Sequence, residues 1–367
     1  MKLKAIDLFC GCGGLSEGLR DSGFEILAGI DVDPSYIQTF TYNFPKAKSI
    51  ISNISDLKPE VLMADLHLKP GELDILVGGP PCQGFSKNVP KSQRSLDSDN
   101  NKLVNDFLNY CEKILPKWIL MENVAEMRNG FDQHYTEEII KRLTESGYKI
   151  LHDVFNSADF GVPQNRRRAF FIARRDGLSP KRPVATHFKQ DKEEQLAIER
   201  NHISVWEAIS DLKPLKHGQG VSPDNYISPP LNDYQAYARD GSKEVFNHIA
   251  KKMSAKQFDR ISCLKPGQGI KDLPSELRPK GGYSGAYGRL TKDMIMPTIT
   301  RWVFHFGSGR WGHPVDLRLI TIREAARLHS FKDTFIFLGS YTEQAGQIGN
   351  SVPPLLAKAM VRSLIET

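Results

Sequence analysis

The stretch Ala5-Ile6-Asp7-Leu8-Phe9-Cys10-Gly11-Cys12-Gly13-Gly14 decides the fold. Its first five residues read as a buried strand. The glycines behind it let the backbone turn sharply and approach a ligand closely. Leu15 to Arg20 then starts a helix. The same unit recurs downstream. Ile26 to Ile30 is a second apolar run, ending at Asp31. Asp74-Ile75-Leu76-Val77 is a third, closed by Gly78-Gly79-Pro80-Pro81, and Trp118-Ile119-Leu120-Met121 is a fourth, ending at Glu122. Val154-Phe155 and Ala169 to Ala173 follow. Strands alternating with helices predict an α/β fold with a doubly wound, mostly parallel sheet. Ligands of such sheets bind at the carboxyl ends of the strands. Each of the first four runs delivers polar or Gly/Pro residues there.

Outward from this core the composition changes. Residues 174–315 are rich in Pro and Gly, weakly periodic, and carry 23 Lys+Arg against 15 Asp+Glu. The rest of the chain carries 26 against 28, so the whole excess of +6 comes from the middle. A second, smaller, irregular domain is expected there, with a polyanion as partner or simply a lysine-rich surface. Residues 1–173 form the first domain, and 316–367 are expected to return to it. Thr321-Ile322-Arg323-Glu324 is a capping box opening a helix through Leu328. Ser351 before Pro353 and Pro354 reads as another helix start. The apolar face of that helix is expected to be Leu355, Leu356, Ala359, Met360 and Leu364.

Composition excludes several classes. Hydrophobic residues make up 40% and charged residues 25%, ordinary for a globular protein. No apolar run reaches the roughly 18 residues of a membrane helix. Asp7 interrupts the N-terminal apolar run, unlike a signal peptide, so a cytoplasmic protein is expected. The five cysteines form no CxxC pair, which argues against a disulfide scaffold and against a zinc site. No metal is expected.

Four motifs carry chemistry. The first glycine loop, with Asp31 about twenty residues on at the end of the next strand, suits a nucleoside cofactor whose ribose the acid would bind. The spacing departs from GxGxxG, which weakens a dinucleotide, and a plain turn is the alternative. In Gly78-Gly79-Pro80-Pro81-Cys82-Gln83-Gly84-Phe85-Ser86, a cysteine follows a buried strand in a proline-fixed turn. It is either a thiolate nucleophile or a buried structural thiol. Glu122 in Met121-Glu122-Asn123-Val124 ends a strand of the same sheet. It is either a general acid or a surface carboxylate. In Gln164-Asn165-Arg166-Arg167-Arg168, alternation puts Gln164, Arg166 and Arg168 on one face, either ready for phosphate or a carbonyl-rich base edge or simply an exposed basic turn.

The order of these blocks is the deciding observation. The chain resembles the DNA (cytosine-5)-methyltransferase family over residues 5–173 and about 289–360. DLFCGCGG, Ile30-Asp31-Val32-Asp33, GGPPCQGFS, ENV, QxRxR, Arg318 to Leu328, and Gln347-Ile348-Gly349-Asn350-Ser351-Val352-Pro353-Pro354 match the family's blocks in the family's order. The resemblance implies a sequence-specific enzyme that moves the methyl of S-adenosyl-L-methionine to C5 of a flipped-out cytosine, leaving S-adenosyl-L-homocysteine. It implies Cys82 as the nucleophile at C6 and Glu122 as the group on N3 and the exocyclic amine. Arg166 would contact O2, and Arg168 would help hold the site.

For the cofactor it implies Phe9 stacked on adenine, Gly11 and Gly13 against the methionine part, and Asp31 on the ribose. Gly14, Leu15, Val32, Asn53, Ile54 and Pro80 would complete that surface, and Asn350 and Val352 would close it. The family usually has Asp where Asn53 stands. An Asn carbonyl accepts the adenine amine without charge, so weaker cofactor affinity is expected. Residues 174–315 would recognise double-stranded DNA, with Gln83, Ser86, Gln164, Arg289 and Thr300 as DNA-binding residues. A restriction-modification role, a cognate endonuclease sharing the site without contact, and a monomer are further expectations. The rivals are a tRNA cytosine-5 methyltransferase and a catalytically silent homologue. An amino-methyltransferase is rejected, because Ser228-Pro229-Pro230 is followed by Leu231 rather than an aromatic.

Overall fold

The structure, a computed structural model, describes residues 2–81, 99–128, 134–189 and 200–366. The strands of its main sheet are β1 (Lys4–Leu8), β2 (Glu25–Asp31), β3 (Lys48–Ile51), β4 (Ile75–Gly78), β5 (Trp118–Val124), β6 (Lys149–Asn156) and β7 (Arg167–Arg174). They lie in the order β3-β2-β1-β4-β5-β7-β6. The first five pair in parallel, and β7 runs antiparallel to both neighbours. Ala5 to Leu8 are all buried, as befits a central strand covered on both faces, which needs apolar side chains pointing both ways. The strand order reverses between β1 and β4, so the crevice at their carboxyl ends is the switch point where such sheets bind ligands. The α/β expectation holds. The antiparallel β7 is what period and composition do not reveal.

Among the described residues, five helices precede β6: α1 (Gly14–Arg20), α2 (Pro34–Asn43), α3 (Pro59–Asp65), α4 (Asp99–Ile114) and α5 (His134–Glu145). The Asp33 carboxylate caps α2 by accepting the Ser35 N–H, with Pro34 in the first turn. Val104, Phe107, Leu108 and Cys111 of α4 are buried at helical spacing and enter the core beside Leu76 and Ile119.

The chain divides into two compact units. One comprises Met1–Phe160, Arg167–Ala185 and Val352–Thr367, and the other Gly161–Arg166 and Thr186–Ser351. The expected return to the first domain at 316 therefore moves to Val352. Residues 316–351 are held in the second unit by charge. Among the described residues, α9 (Ile322–Leu328) follows three short helices of that unit, α6 (Val205–Ile209), α7 (Asp233–Arg239) and α8 (Ala255–Ser262). Arg327 of α9 reaches Asp211 just past α6 at 2.5 Å and Asp333 at 2.6 Å. Arg318 grips both carboxylate oxygens of Glu324 at 2.7 and 2.8 Å. The predicted capping box is present: Thr321 Oγ1 accepts the Glu324 N–H, and Glu324 accepts the Thr321 N–H.

α10 (Tyr341–Asn350) closes the second unit, and α11 (Pro354–Ile365) returns to the first. Ser351 proves to be the C-cap of α10, not the start of α11, which begins on Pro353 and Pro354 without a side-chain cap. Its buried face is Leu356, Ala357, Met360, Val361 and Leu364; Leu355 and Ala359 are only half-buried. Among the described residues no helix is long and apolar enough to cross a membrane.

Candidate active site

The cofactor end is built by three strand ends of the first unit. β1 stops at Leu8, and Phe9 follows with φ 64°, a left-handed conformation uncommon outside glycine. Its ring is half-buried. Gly13 takes φ 105°, which only glycine adopts freely, and its carbonyl accepts the Glu17 N–H to start α1. Asp31 ends β2 with its carboxylate fixed twice. Oδ2 accepts the Gly11 N–H at 2.9 Å, and Oδ1 accepts the Asp33 N–H at 3.0 Å. Burial pushes this carboxyl up from its usual range. Val32 beside it is 67% exposed, an apolar surface that a bound ring would cover. A side chain at Gly11 would meet nothing nearer than Tyr36 at 3.8 Å, so open space lies over the loop. A fixed carboxylate, an exposed valine and an open glycine loop fit a nucleoside cofactor.

The other expected cofactor residues differ in kind. Gly13, Gly14, Leu15, Ile54, Pro80 and Val352 are buried, which leaves only their backbone or their packing to offer a ligand. Asn53 is exposed, but its Oδ1 already accepts the Ser55 N–H at 3.1 Å. One lone pair remains for an amine.

The carboxylate end lies on β5 and β7 of the same unit. Arg168 Nε meets Glu122 Oε1 at 2.8 Å, with both side chains largely covered. A Cβ at Gly79 would stand 3.1 Å from Glu122 Oε2, so this glycine leaves the carboxylate its room. Asn123, buried next to it, donates from Nδ2 to the Pro80 carbonyl at 3.0 Å and accepts the Val124 N–H. It thereby ties the end of β5 to the turn that leads to Cys82. The role of Asn123 was not drawn from the sequence, although its place inside ENV was the signal. Cys82, Gln83 and Ser86 themselves lie outside the described residues.

Gln164 and Arg166 belong to the second unit, and their expected roles need correcting. Gln164 is fully buried. Its Oε1 accepts the Ile299 N–H, and its Nε2 meets the Leu328 carbonyl and His329 Nδ1. His329 Nε2 in turn lies 3.0 Å from the Ser351 carbonyl. Since the amide donates, Nδ1 accepts, and the ring proton sits on Nε2. Arg166 is 3% exposed and gives its guanidinium to the carbonyls of Ile299, Gly349 and Ser351. It clamps backbone rather than facing a base. Arg168, not Arg166, is the arginine beside the acid. Arg289 is also buried, holding the carbonyls of Leu264, His313 and Val315, so it has no surface to offer DNA. Thr300 is half-buried, with its hydroxyl accepting the Trp302 N–H. Asn350 is exposed.

Comparison with known proteins bears on this arrangement. A family model described as C-5 cytosine-specific DNA methylase matches residues 3–366. The type II methyltransferase M.DdeI of Desulfomicrobium norvegicum is 34% identical over 99% of the chain and 88% of its own length. M1.HphI of Haemophilus parahaemolyticus, also a type II methyltransferase, is 32% identical over 100% of the chain and 87% of its own. Among solved structures, a DNA modification methyltransferase encoded within an E. coli prophage superposes with a TM-score of 0.77 at 25% identity, covering 99% of both chains. With a glycine loop and carboxylate at the switch point and an acid on the neighbouring strand, the chain belongs to the C-5 cytosine-specific DNA methylase family.

Proposed function

We propose that this enzyme is the methyltransferase of a type II restriction-modification system, acting as a monomer through a Cys82 adduct. The observation that carries the site assignment is the Glu122–Arg168 pair at 2.8 Å on adjacent strands of the catalytic sheet. Cys82 Sγ adds to C6 of the extruded cytosine, and Glu122 holds N3 and the exocyclic amine as the ring loses aromaticity. Arg168 fixes the orientation of Glu122 and takes the role at O2 of the base first expected of Arg166. C5 becomes nucleophilic. S-adenosyl-L-methionine, when bound, supplies the electrophilic methyl and leaves as S-adenosyl-L-homocysteine. Loss of the C5 proton and expulsion of Cys82 restore the ring. Phe9, Gly11, Asp31, Val32 and Asn53 would hold the cofactor.

The test is methylation-free bacterial DNA incubated with the protein and cofactor, then sequenced after bisulfite conversion, with Cys82→Ala alongside. Cytosines of one short motif resist conversion only with the intact chain. Protection of no cytosine in DNA, with tRNA cytosines modified in a parallel incubation or not, would overturn the reading. Asn53→Asp tests the cofactor surface separately. A charged acceptor makes the stronger hydrogen bond, so calorimetric titration should show cofactor binding severalfold tighter. An unchanged or weaker Kd removes Asn53 from that surface.

A further inference from the structure

The turn that follows Thr300 is tied down by several backbone hydrogen bonds. The Trp302 N–H donates to Thr300 Oγ1 at 3.3 Å. The Trp302 carbonyl accepts the His305 N–H at 2.8 Å and lies 2.6 Å from the Ser308 hydroxyl. That hydroxyl also accepts the Trp311 indole N–H at 2.9 Å. At its base, Ile299 is held on both sides, by Gln164 at its N–H and Arg166 at its carbonyl. Yet the Trp302 indole is 49% exposed on top of this rigid frame. A tryptophan is ordinarily among the more buried side chains.

The exposed indole is flanked by charge. The Arg301 guanidinium carbon sits 5.1 Å from the Trp302 ring centre. Trp302 is followed at 5.8 Å by Phe304, and over Phe304 lies Lys251 at 4.6 Å. Neither Arg301 nor Lys251 has a carboxylate partner among the described residues, whereas the buried arginines of this unit are matched with acids or carbonyls. An unneutralised guanidinium lying against an aromatic face is a preorganised planar fork. Such a fork suits a flat, paired acceptor, and O6 with N7 of guanine is the pair that the major groove of DNA presents.

We propose that Arg301 and Trp302 form a base-reading head, in which the stacked guanidinium makes paired hydrogen bonds to a guanine in the recognition sequence. The proposal rests on the DNA reading above and names the residues that select the site. Lys251 supplies backbone charge beside it, without sequence information.

The experiment separates recognition from chemistry. Sheared, methylation-free bacterial DNA is incubated with the full chain, protein-bound fragments are recovered and sequenced, and methylation is scored on the same DNA. The intact protein enriches a motif containing a guanine. Arg301→Ala and Arg301→Lys both lose preference at that one guanine, by about tenfold or more, while the other positions stay selected. Trp302→Phe, which keeps a stacking ring, retains most of the preference. If Arg301→Lys preserves the motif, or binding falls evenly on all sequences, Arg301 is a phosphate contact and the proposal is wrong. It is equally wrong if the intact chain enriches no motif. If the motif responds to Arg301 but no cytosine is methylated, the reading head stands and the methyltransferase reading falls.

Discussion

Asp7 lies near the carboxyl end of β1 with its carboxyl fully buried. Oδ2 accepts the Ser16 hydroxyl at 2.6 Å, and Oδ1 has no hydrogen-bond partner among the described residues. Burial pushes its pKa up to about 7. The folded state therefore binds a proton that the unfolded chain has released by about pH 4. The resulting penalty is absent in acid, grows as pH rises from about 4, and is complete above about 7. Asp7→Asn removes it. The melting temperature of the native chain should fall relative to the variant between pH 5 and 8, and a constant gap would show that Asp7 does not titrate there. The pairing of Arg168 with Glu122 shows why some residue roles escaped the sequence. Alternation places Gln164, Arg166 and Arg168 on one face only within a continuous strand. β7 begins at Arg167, so the first two obey other constraints. Asp31 was legible because it ends a strand that the apolar pattern already located.

Helices α1 and α11 meet where Gly18 faces Ala357 and Pro354. A Cβ at Gly18 would stand 2.6 Å from Ala357 Cβ and 2.6 Å from the Pro354 carbonyl. Intrinsic propensity alone favours Gly18→Ala by about 1 kcal/mol. Overpacking opposes it by about 1–3 kcal/mol, and the partners here are backbone and a short side chain that cannot move aside. Urea unfolding should show net destabilisation, with Ala357→Gly giving part of it back. A stabilised variant would mean that the two helices separate without cost. At this scale the capping chemistry was readable, including Ser340 and Glu343 at the start of α10, which form a capping box that went unused. The start of α11 was misplaced because Ser351 has the right residue type but serves the helix before it. The burial of Ala357 and Val361 over Leu355 and Ala359 reflects which side of the helix α1 reaches, and that is a tertiary fact.

Across the molecule, two different kinds of interior coexist. The sheet unit is packed with apolar side chains on strand and helix periods, and its fold was correspondingly legible. The second unit lacks those periods, and its centre includes Arg318, Arg323 and Arg327 with Glu324, Asp211 and Asp333, all buried. Burial pushes the Glu324 carboxyl up, yet the facing Arg318 and His313 hold it well below the usual range. No hydrophobic pattern announces such a centre. Removing one member strands its partners: Arg327→Ala leaves Asp211 and Asp333 with Arg239 and Arg323 as remaining cations. The expected loss is about 3 kcal/mol, the low end for a broken buried pair, read as an earlier urea transition. A change under about 1 kcal/mol would mean those two arginines carry the network unaided.

The same charges constrain how new specificities could arise in this lineage. On the proposal that the second unit reads the target, exchanging residues 174–315 between relatives is the direct way to trade one recognition sequence for another. A joint at 315 would put Asp211 on the donor's side and Arg327 on the recipient's, and would part Leu215 from Arg318. It would also leave Gln164 and Arg166 of the recipient to clamp a foreign Ile299. A joint near Ser351, carrying 161–166 along, keeps each cation with its acid. Viable recombinants should therefore cluster at the second kind of joint, and lineages that trade targets should inherit α9, with Arg323 and Arg327, together with the segment it stabilises.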